Sequence, residues 1–332
     1  MSEIFKNIPG KHRSKIQKKQ QPEWTKPMLA TLTKKRFSDP DWIYERKLDG
    51  ERCLVFKNGK NVRLMSRNNK QLNDTYPELV DAIRKEQHSF IADGEIVTFE
   101  NGKTSFSKLQ QRMHRKSKQS NNRVKVFYYL FDMLYIDDHD ITGLPLRDRK
   151  KILSKSISFN EDQLVYCTHI NEHGEDFYKE ACKKGWEGVI AKEATSTYVH
   201  SRSKKWLKFK CVNRQEMVIG GFTDPQGSRK GFGALLIGYY ENKKLHYAGK
   251  VGTGYSDDLL EEMRSEMDRL ETGENPFAQK DISEKNVHWI KPRLVGEFKY
   301  TEWTGDNRLR HPSFVGLRDD KNAKEVTREK TG

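Results

Sequence analysis

The stretch Lys47-Leu48-Asp49-Gly50-Glu51-Arg52 lies between two segments that are both predicted to be β-strands, residues 41–47 and 52–57. A lysine followed by Asp-Gly at a strand end predicts a sharp turn, at which glycine lets the backbone approach a ligand closely. Taken alone, the hexapeptide is also typical of a surface turn. The choice between a site and a turn depends on the motifs in the rest of the chain.

Further short motifs come after this stretch in a fixed order. They are Ser66-Arg67-Asn68, Asp93-Gly94-Glu95, Phe131-Asp132, Glu187-Gly188-Val189-Ile190 and Lys208-Phe209-Lys210. With the first stretch, this ordered set resembles the covalent nucleotidyltransferase superfamily, which contains ATP-dependent DNA ligases, RNA ligases and mRNA capping enzymes.

The C-terminal part of the chain distinguishes between these classes. Residues 308–321 (RLRHPSFVGLRDDK) look like the barrel ending of DNA ligases. Three further stretches are similar to the ligase module of bacterial and archaeal end-joining ligases of the ligase D type, which work with Ku, and 27–32 (PMLATL) near the start belongs to the same pattern. The three stretches are 220–229 (GGFTDPQGSR), 231–240 (GFGALLIGYY) and 247–254 (YAGKVGTG). The resemblance implies an ATP-dependent DNA ligase that seals nicks in duplex DNA through a lysyl-AMP and a DNA-adenylate, in DNA repair or end joining.

The resemblance also implies the fold class. It is α+β, with an ATP-grasp-like nucleotidyltransferase (adenylation) domain at residues 22–211 and a β-barrel OB-fold domain at residues 212–325. Short strand candidates separated by glycine-rich turns after Cys211 independently suit a small barrel. Residues 1–21 contain six Lys or Arg and one acid, and we expect a flexible basic arm there, with a tail at residues 326–332.

The charge balance indicates a polyanionic partner. The chain has 62 Lys plus Arg and 47 Asp plus Glu, a net charge of +15, while 34% hydrophobic residues suffice for folded cores. The resemblance makes that partner nicked or broken duplex DNA, with a Ku-type end-binding protein as a further partner. Because no apolar run could span a bilayer and no secretory signal begins the chain, we expect no membrane partner. The expected state is a cytoplasmic monomer, associated with the nucleoid in a bacterium or archaeon.

The four cysteines predict a reducing compartment. Cys53, Cys167, Cys182 and Cys211 form no Cys-x-x-Cys pair, which argues against a zinc ribbon and against a disulfide scaffold. We therefore expect all four to be ordinary buried thiols.

The resemblance assigns Lys47 as the nucleophile that attacks the α-phosphate of ATP. A lysine must lose its proton before it attacks, and nearby cations promote that loss. Lys208 and Lys210 stand at i and i+2 on a predicted strand, so their side chains project from one face toward the phosphate. Alone, two such lysines are more typical of a solvated edge strand.

The remaining candidate residues follow from the motifs. Glu95 and Glu187 offer the hard oxygen ligands that Mg²⁺ prefers, with Mn²⁺ as the alternative metal, and the resemblance adds a ribose contact for Glu95. Phe131 is expected to stack on adenine, although core packing is the simpler interpretation. Arg52 and Arg67 provide planar forks for phosphate or the nick. The ending with Arg318, Asp320 and Lys321 matches the motif that assists pyrophosphate departure.

Other functions remain open on the sequence. A GTP-using capping guanylyltransferase shares the Lys-x-Asp-Gly motif, and an RNA ligase shares more, although the barrel ending favours DNA. A non-catalytic nucleic-acid-binding module would not need Lys47 together with both glutamates and both strand lysines. One departure from the family concerns Asn69, which stands where glycine usually follows Ser-Arg-Asn, so the local turn geometry is uncertain.

Overall fold

The computed structural model describes residues 3–113, 124–159, 163–227 and 229–329. The chain divides into two compact units, Met1–Cys211 (with Thr331–Gly332) and Val212–Lys330. Each unit has its own hydrophobic core.

The first unit is built mainly from strands. In chain order they are β1 (Gln17–Lys18), β2 (Leu29–Leu32), β3 (Trp42–Lys47), β4 (Glu51–Asn58), β5 (Asn61–Ser66), β6 (Phe90–Val97), β7 (Phe99–Glu100), β8 (Lys103–Thr104), β9 (Phe127–Ile136), β10 (His139–Asp140), β11 (Leu164–Tyr166), β12 (Ile170–Asn171), β13 (Gly188–Glu193) and β14 (Arg202–Lys210). The α-helices are α1 (Gly10–Arg13), α2 (Pro77–Arg84), α3 (Phe106–Met113), α4 (Leu146–Ser156) and α5 (Gly174–Lys183). A 3-10 turn spans Glu3–Phe5.

Two sheets form the framework of this unit. The first has the strand order β1-β10-β9-β6-β4-β5, with β11 parallel to β9, and the second has the order β12-β3-β13-β14-β2. The hairpin of β4 and β5 turns at Asn58-Gly59, and the φ of +57° at Gly59 suits glycine. The long strand β9 is apolar on both faces because each face packs against a separate hydrophobic cluster.

Helices α2 and α5 carry residues that are typical of helix ends. Helix α2 has Pro77 in its first turn and buries Leu79, Val80 and Ile83 along one face. Helix α5 is followed by Gly185 in the left-handed region, φ +67°.

The second unit surrounds the long strand β15. Its elements are β15 (Asn213–Thr223), β16 (Leu235–Glu241), β17 (Lys244–Val251), α6 (Asp257–Asp268), β18 (Glu271–Thr272), β19 (Val287–Ile290), β20 (Val295–Tyr300), β21 (Glu302–Trp303), β22 (Leu309–Arg310), β23 (Ser313–Leu317) and a 3-10 turn at Ala323–Glu325. Strand β15 pairs with β16, β19 and β20, and β20 pairs with β23. Among the described strands the ladder does not close from β23 to β17, so the sheet is branched. A backbone hydrogen bond from Phe314 N to Thr253 O (2.9 Å) links β23 to the residues just after β17.

The prediction of a flexible basic arm is wrong for the described part of residues 1–21. Phe5 and Ile8 are each 2% exposed and pack in the core of the first unit. Strand β1 adds to the edge of the first sheet by pairing with β10. The flexible arm was predicted from the six cations. The burial of Phe5 and Ile8 is what holds the segment in place.

The prediction of four free thiols is also wrong. Cys182 in α5 and Cys211 after β14 form a disulfide, with Cα atoms 5.3 Å apart. Cys53 and Cys167 are free and buried, as expected. The fold brings together two cysteines that are 29 positions apart, which the spacing alone does not show.

Candidate active site

The register of the second sheet places three lysines on one face. Lys47 lies opposite Gly188 on β13, and Gly188 lies opposite Lys210 on β14. Two residues further along, Glu45, Ile190 and Lys208 are in register in the same way. Because directly opposed residues share a face, Lys47, Lys208 and Lys210 project to the same side of the sheet. The prediction for Lys208 and Lys210 agrees with this register.

Lys47 is held by a carboxylate. Its ammonium forms an ion pair with Glu187, and the Lys47 side chain retains 20% of its exposure while that of Glu187 retains 4%. Glu187 directly precedes β13, so the same strand that aligns Gly188 also positions this carboxylate. Lys47 is therefore oriented by an acid and still accessible to a substrate.

Two glycines of the motifs allow this close packing. A Cβ at Gly50 would clash with the carbonyl oxygen of Ile96, and one at Gly188 would clash with that of Phe209. Gly188 also has a φ of +150°. At Gly50, three residues after Lys47, and at Gly188, opposite Lys47, there is thus no space for a side chain. At Gly188 the backbone conformation also favours glycine.

Residues of the first sheet face this lysine-bearing side. The ring of Phe131, 7% exposed, has the Lys192 ammonium 4.0 Å and the Arg52 guanidinium 4.7 Å from its centroid. Lys192 also lies 4.1 Å from the ring centroid of Trp206, which belongs to β14. Phe131 and Trp206 meet edge to face. The predicted site residues therefore lie where the two sheets of the first unit meet, and the adenine-stacking role of Phe131 stays a prediction.

Arg52 is engaged by an acid that the sequence reasoning did not select. Its Nε and Nη2 donate to Asp93 at 2.6 Å each, and Nη2 also donates to the Met28 carbonyl oxygen at 3.1 Å. Burial opposes the charge, but the Asp93 carboxylate outweighs it and raises the pKa of Arg52. The Tyr198 hydroxyl donates to the same carboxylate at 2.6 Å. Asp93 was visible within the Asp93-Gly94-Glu95 motif, yet its partners lie far away in the sequence.

A second charge cluster was missed entirely. Glu45 accepts from Lys150 of α4 at 2.5 Å and pairs with Lys192 of β13 at 2.6 Å, and all three side chains are 2–3% exposed. Burial raises the pKa of Glu45, but the two ammonium groups outweigh it and lower the value. Lys150 also donates to the Phe131 and Cys167 carbonyl oxygens. This cluster connects α4 with both sheets next to Lys47, on the same face of the second sheet.

The other first-unit candidates lie on strands and loops of the same region. Glu95 is in register with Arg52 on β4 and is partly buried. Arg67, also partly buried, lies in the turn after β5, where Asn69 has a φ of +63°. Asparagine tolerates this left-handed conformation, so the turn forms without the usual glycine. The carboxylates of Glu95 and Glu187 have the chemistry that Mg²⁺ or Mn²⁺ requires. The described residues contain no cluster of three or more His, Cys, Asp or Glu suited to a metal ion.

The candidates of the second unit form a charge network within that unit. Arg318 donates to Asp320 through Nε (2.8 Å) and Nη2 (2.9 Å) and to Glu297 at 3.2 Å. Lys321 pairs with Glu216 at 3.0 Å, and Glu216 is in register with Glu297. Burial opposes ionisation, but Arg318 dominates and lowers the pKa of Asp320 to about 2. The sequence indicated the basic pair but not the two glutamates, which come from distant strands.

An accessible lysine paired with a glutamate thus shares a face of the second sheet with two more lysines. The chain matches the ATP dependent DNA ligase domain over residues 27–210 and the ATP dependent DNA ligase C terminal region over residues 228–321. It belongs to the ATP-dependent DNA ligase family.

Individual relatives agree with this assignment. The chain is 36% identical over 318 residues to the multifunctional non-homologous end joining protein LigD of Pseudomonas aeruginosa, covering 93% of this chain and 37% of that protein. It is 37% identical over 331 residues to LigD of Mycobacterium tuberculosis H37Rv, covering 96% and 42%. It thus spans about two fifths of the length of these relatives.

Solved structures show the same fold. Mycobacterial DNA ligase D complexed with ATP and MES matches with a TM-score of 0.67 and 34% identity, covering 92% of this chain and 98% of that one. The ligase domain of M. tuberculosis LigD matches with a TM-score of 0.50 and 35% identity, with the same coverage. The α+β prediction with a nucleotidyltransferase and an OB-fold domain is confirmed. In the part of the chain that is described, no helix is long and apolar enough to cross a membrane.

Proposed function

We propose that this chain seals nicks in duplex DNA in three phosphoryl transfers that begin at Lys47. The Lys47 nitrogen, once deprotonated, attacks the α-phosphorus of ATP, so an N–P bond forms and the bond to the β-phosphate oxygen breaks, releasing pyrophosphate. AMP then passes to the 5′-phosphate of a nick, and the 3′-hydroxyl displaces it. The observation that supports this best is the accessible Lys47–Glu187 pair on the face shared with Lys208 and Lys210.

The side chains around Lys47 supply positioning and charge. Lys208 and Lys210 neutralise the α-phosphate, which lowers the barrier to attack by an amine. Glu187 aims the Lys47 amine and receives its hydrogen bond. Arg52 and Arg67 contact phosphates, Phe131 stacks on adenine, and Glu95 contacts the ribose. In this proposal Arg318, Asp320 and Lys321 assist the departure of pyrophosphate.

A divalent cation fits the same donor set. Glu95 and Glu187 would hold Mg²⁺ or Mn²⁺, which when bound supplies neutralisation of triphosphate charge. The fit rests on the two carboxylates, since oxygen donors are what these hard cations select.

The biological setting that we propose is the joining of broken duplex DNA, where a Ku-type protein would bring the chain to DNA ends. The LigD names of the relatives support end joining as the process. The net charge of +15 supports sequence-independent affinity for phosphates through counterion release. The proposed working state is a monomer in the cytoplasm, associated with the nucleoid.

The test is covalent labelling with α-labelled ATP, followed by a chase with nicked DNA. Wild-type protein should acquire label and pass it to the 5′-phosphate of the nick. Lys47→Ala and the charge-conserving Lys47→Arg should both remain unlabelled. Label from GTP in place of ATP would show a capping-type enzyme, and sealing restricted to RNA-terminated nicks would show an RNA ligase. Either result, or full labelling of Lys47→Arg, overturns the proposal.

A further inference from the structure

The N-terminal segment 3–20 is an ordered, positively charged surface that the chemistry at Lys47 does not use. Its cations are Lys6, Lys11, Arg13, Lys15, Lys18 and Lys19. The five lysines are exposed. A charge run of this kind is commonly a solvated tail, so its meaning depends on whether the segment is held in place.

Several independent contacts hold it. Phe5 and Ile8 are buried in the core of the first unit, and β1 extends the first sheet. Arg13 donates to the carbonyl oxygens of Ile8 and Lys6 at 2.9 Å each, so it closes the segment on itself. His12 pairs with Asp148 at the start of α4 at 2.6 Å. The lysines are therefore displayed from a fixed backbone, which lowers the entropy lost when they bind a partner.

Two of the nearby acids, Asp148 and Asp140, are turned to internal partners, while the carbonyl oxygen of the exposed Asp138 accepts from the Lys19 backbone N–H at 2.7 Å. Asp148 binds His12, and Asp140 accepts from the hydroxyls of Tyr135 (2.8 Å) and Thr142 (2.6 Å), with Lys19 at 3.6 Å. Helix α4, which packs against the segment, adds the exposed cations Lys151 and Lys155. The surface that remains is strongly positive, as a phosphate backbone requires.

The first sheet connects the segment to the site, with Phe5 and Ile8 packed in the cluster on the face opposite to Phe131. From Glu95 on β6 the first sheet continues through β9 and β10 to Lys18 on β1. Three strand spacings across the sheet and seven residues along β9, from Tyr129 to Ile136, correspond to about 27 Å. One turn of B-DNA is about 34 Å long, so a duplex with its nick at the site extends beyond this distance on either side.

We propose that residues 3–20 are a second contact surface for the phosphate backbone of the duplex that is being joined, with Lys11, Lys15 and Lys18 as its main cations. This inference rests on the DNA ligase function proposed above. The surface holds DNA without reading its sequence, because lysines on phosphates carry no base information. It contributes to binding and sealing of DNA and not to the reaction with ATP.

The experiment compares two triple variants of the full chain. One is Lys11→Gln, Lys15→Gln, Lys18→Gln, and the matched control replaces three exposed lysines elsewhere, Lys60→Gln, Lys85→Gln, Lys243→Gln. Each protein is labelled with ATP in the absence of DNA, and its affinity for a long nicked duplex is measured against salt concentration. Each phosphate contact contributes about 0.9 to the slope of the logarithm of the binding constant against the logarithm of the salt concentration. The slope of the N-terminal variant should therefore be smaller in magnitude than that of the wild type by about 2–3.

The outcomes separate the two proposals. We expect ATP labelling at the wild-type level in both variants, with nick affinity at moderate salt reduced by about tenfold or more only in the N-terminal variant. An unchanged slope, or an equal loss in the control, would overturn the docking surface while leaving the ligase function intact. If wild-type protein takes no label from ATP, it is the proposed function itself that is wrong. A duplex that ends less than about 27 Å from the nick on both sides should give the variant and the wild type equal affinity.

Discussion

Two lysine–glutamate clusters lie on the same face of the second sheet, and they differ in access to solvent. Glu45 is enclosed with Lys150 and Lys192, each side chain 2–3% exposed, whereas Lys47 beside Glu187 is 20% exposed. An enclosed charge cannot exchange its partner without leaving another charge unpaired in the interior. An accessible one can give up its partner to a phosphate. The difference supports the proposal that the Lys47 pair takes part in the reaction, and it suits the Glu45 cluster to maintaining the geometry around that pair.

The largest expected effect is on stability at the enclosed cluster. Glu45→Ala leaves two ammonium groups buried without a carboxylate and should cost about 3–5 kcal/mol in the free energy of unfolding. Glu187→Ala removes the partner of an accessible lysine and should cost about 1 kcal/mol. Urea denaturation measures both, and the same proteins are tested for ATP labelling, which Glu187→Ala should slow more than tenfold. Equal destabilisation by the two variants would contradict the division of roles.

A disulfide lies next to the Lys47–Glu187 pair. The disulfide joins Cys182 of α5 to Cys211, whose N–H donates to the Glu187 carbonyl oxygen at 3.0 Å. Closing a loop with a separation of 29 residues should stabilise the unit by about 3 kcal/mol. Cys182→Ser with Cys211→Ser should lose that amount under oxidising conditions. Reductant should lower the stability of the wild type to the same level and leave the double variant unchanged. A wild type indifferent to reductant would show that the link contributes nothing.

The network of the second unit offers a test through pH. The pKa of Asp320 is about 2, below its ordinary 3.8, because Arg318 outweighs the cost of burial. A depressed carboxyl pKa contributes stability above the unfolded-state value and loses it as pH falls toward the folded-state value. The shift corresponds to about 2 kcal/mol. The stability advantage of the wild type over Asp320→Asn should therefore be constant above about pH 5 and shrink between pH 4 and 2. An advantage independent of pH would exclude this carboxylate as its source.

The sequence was sufficient for the placement of residues that stand in short motifs. The shared face of Lys208 and Lys210 could be predicted from their i and i+2 spacing on a strand, and the strand register adds Lys47 to that face. The ion pair between Lys47 and Glu187 was not predicted, because Glu187 was expected as a metal ligand. The start of α2 at Pro77 and the left-handed Gly185 after α5 likewise depend on single local residues.

The sequence was insufficient where two side chains that are distant in the chain come into contact only in the folded protein. Lys150 contacts Glu45 across 105 positions, and Arg318 reaches Glu297 on another strand. The order of the N-terminal segment depended on two apolar residues within a run of cations. In each case the outcome depended on which side chains are buried. Hydrophobic periodicity predicts the buried face of a whole helix or strand, but it does not predict the burial of a single charged side chain.

The smallest predicted effect concerns the turn after β5, which contains Arg67 and Asn69. Asn69 has a φ of +63°, and its N–H donates to the Ser66 carbonyl oxygen at 3.0 Å. A Cβ without a local polar group is strained there, so Asn69→Ala should cost about 1 kcal/mol. Asn69→Gly, which relieves the strain but frees the unfolded chain, should change the free energy of unfolding by less than about 0.5 kcal/mol. Both variants should label normally with ATP, because on this interpretation the position sets a backbone conformation and takes no part in the reaction. Loss of labelling in Asn69→Gly with stability unchanged would instead place the Asn69 amide among the groups that contact the substrate.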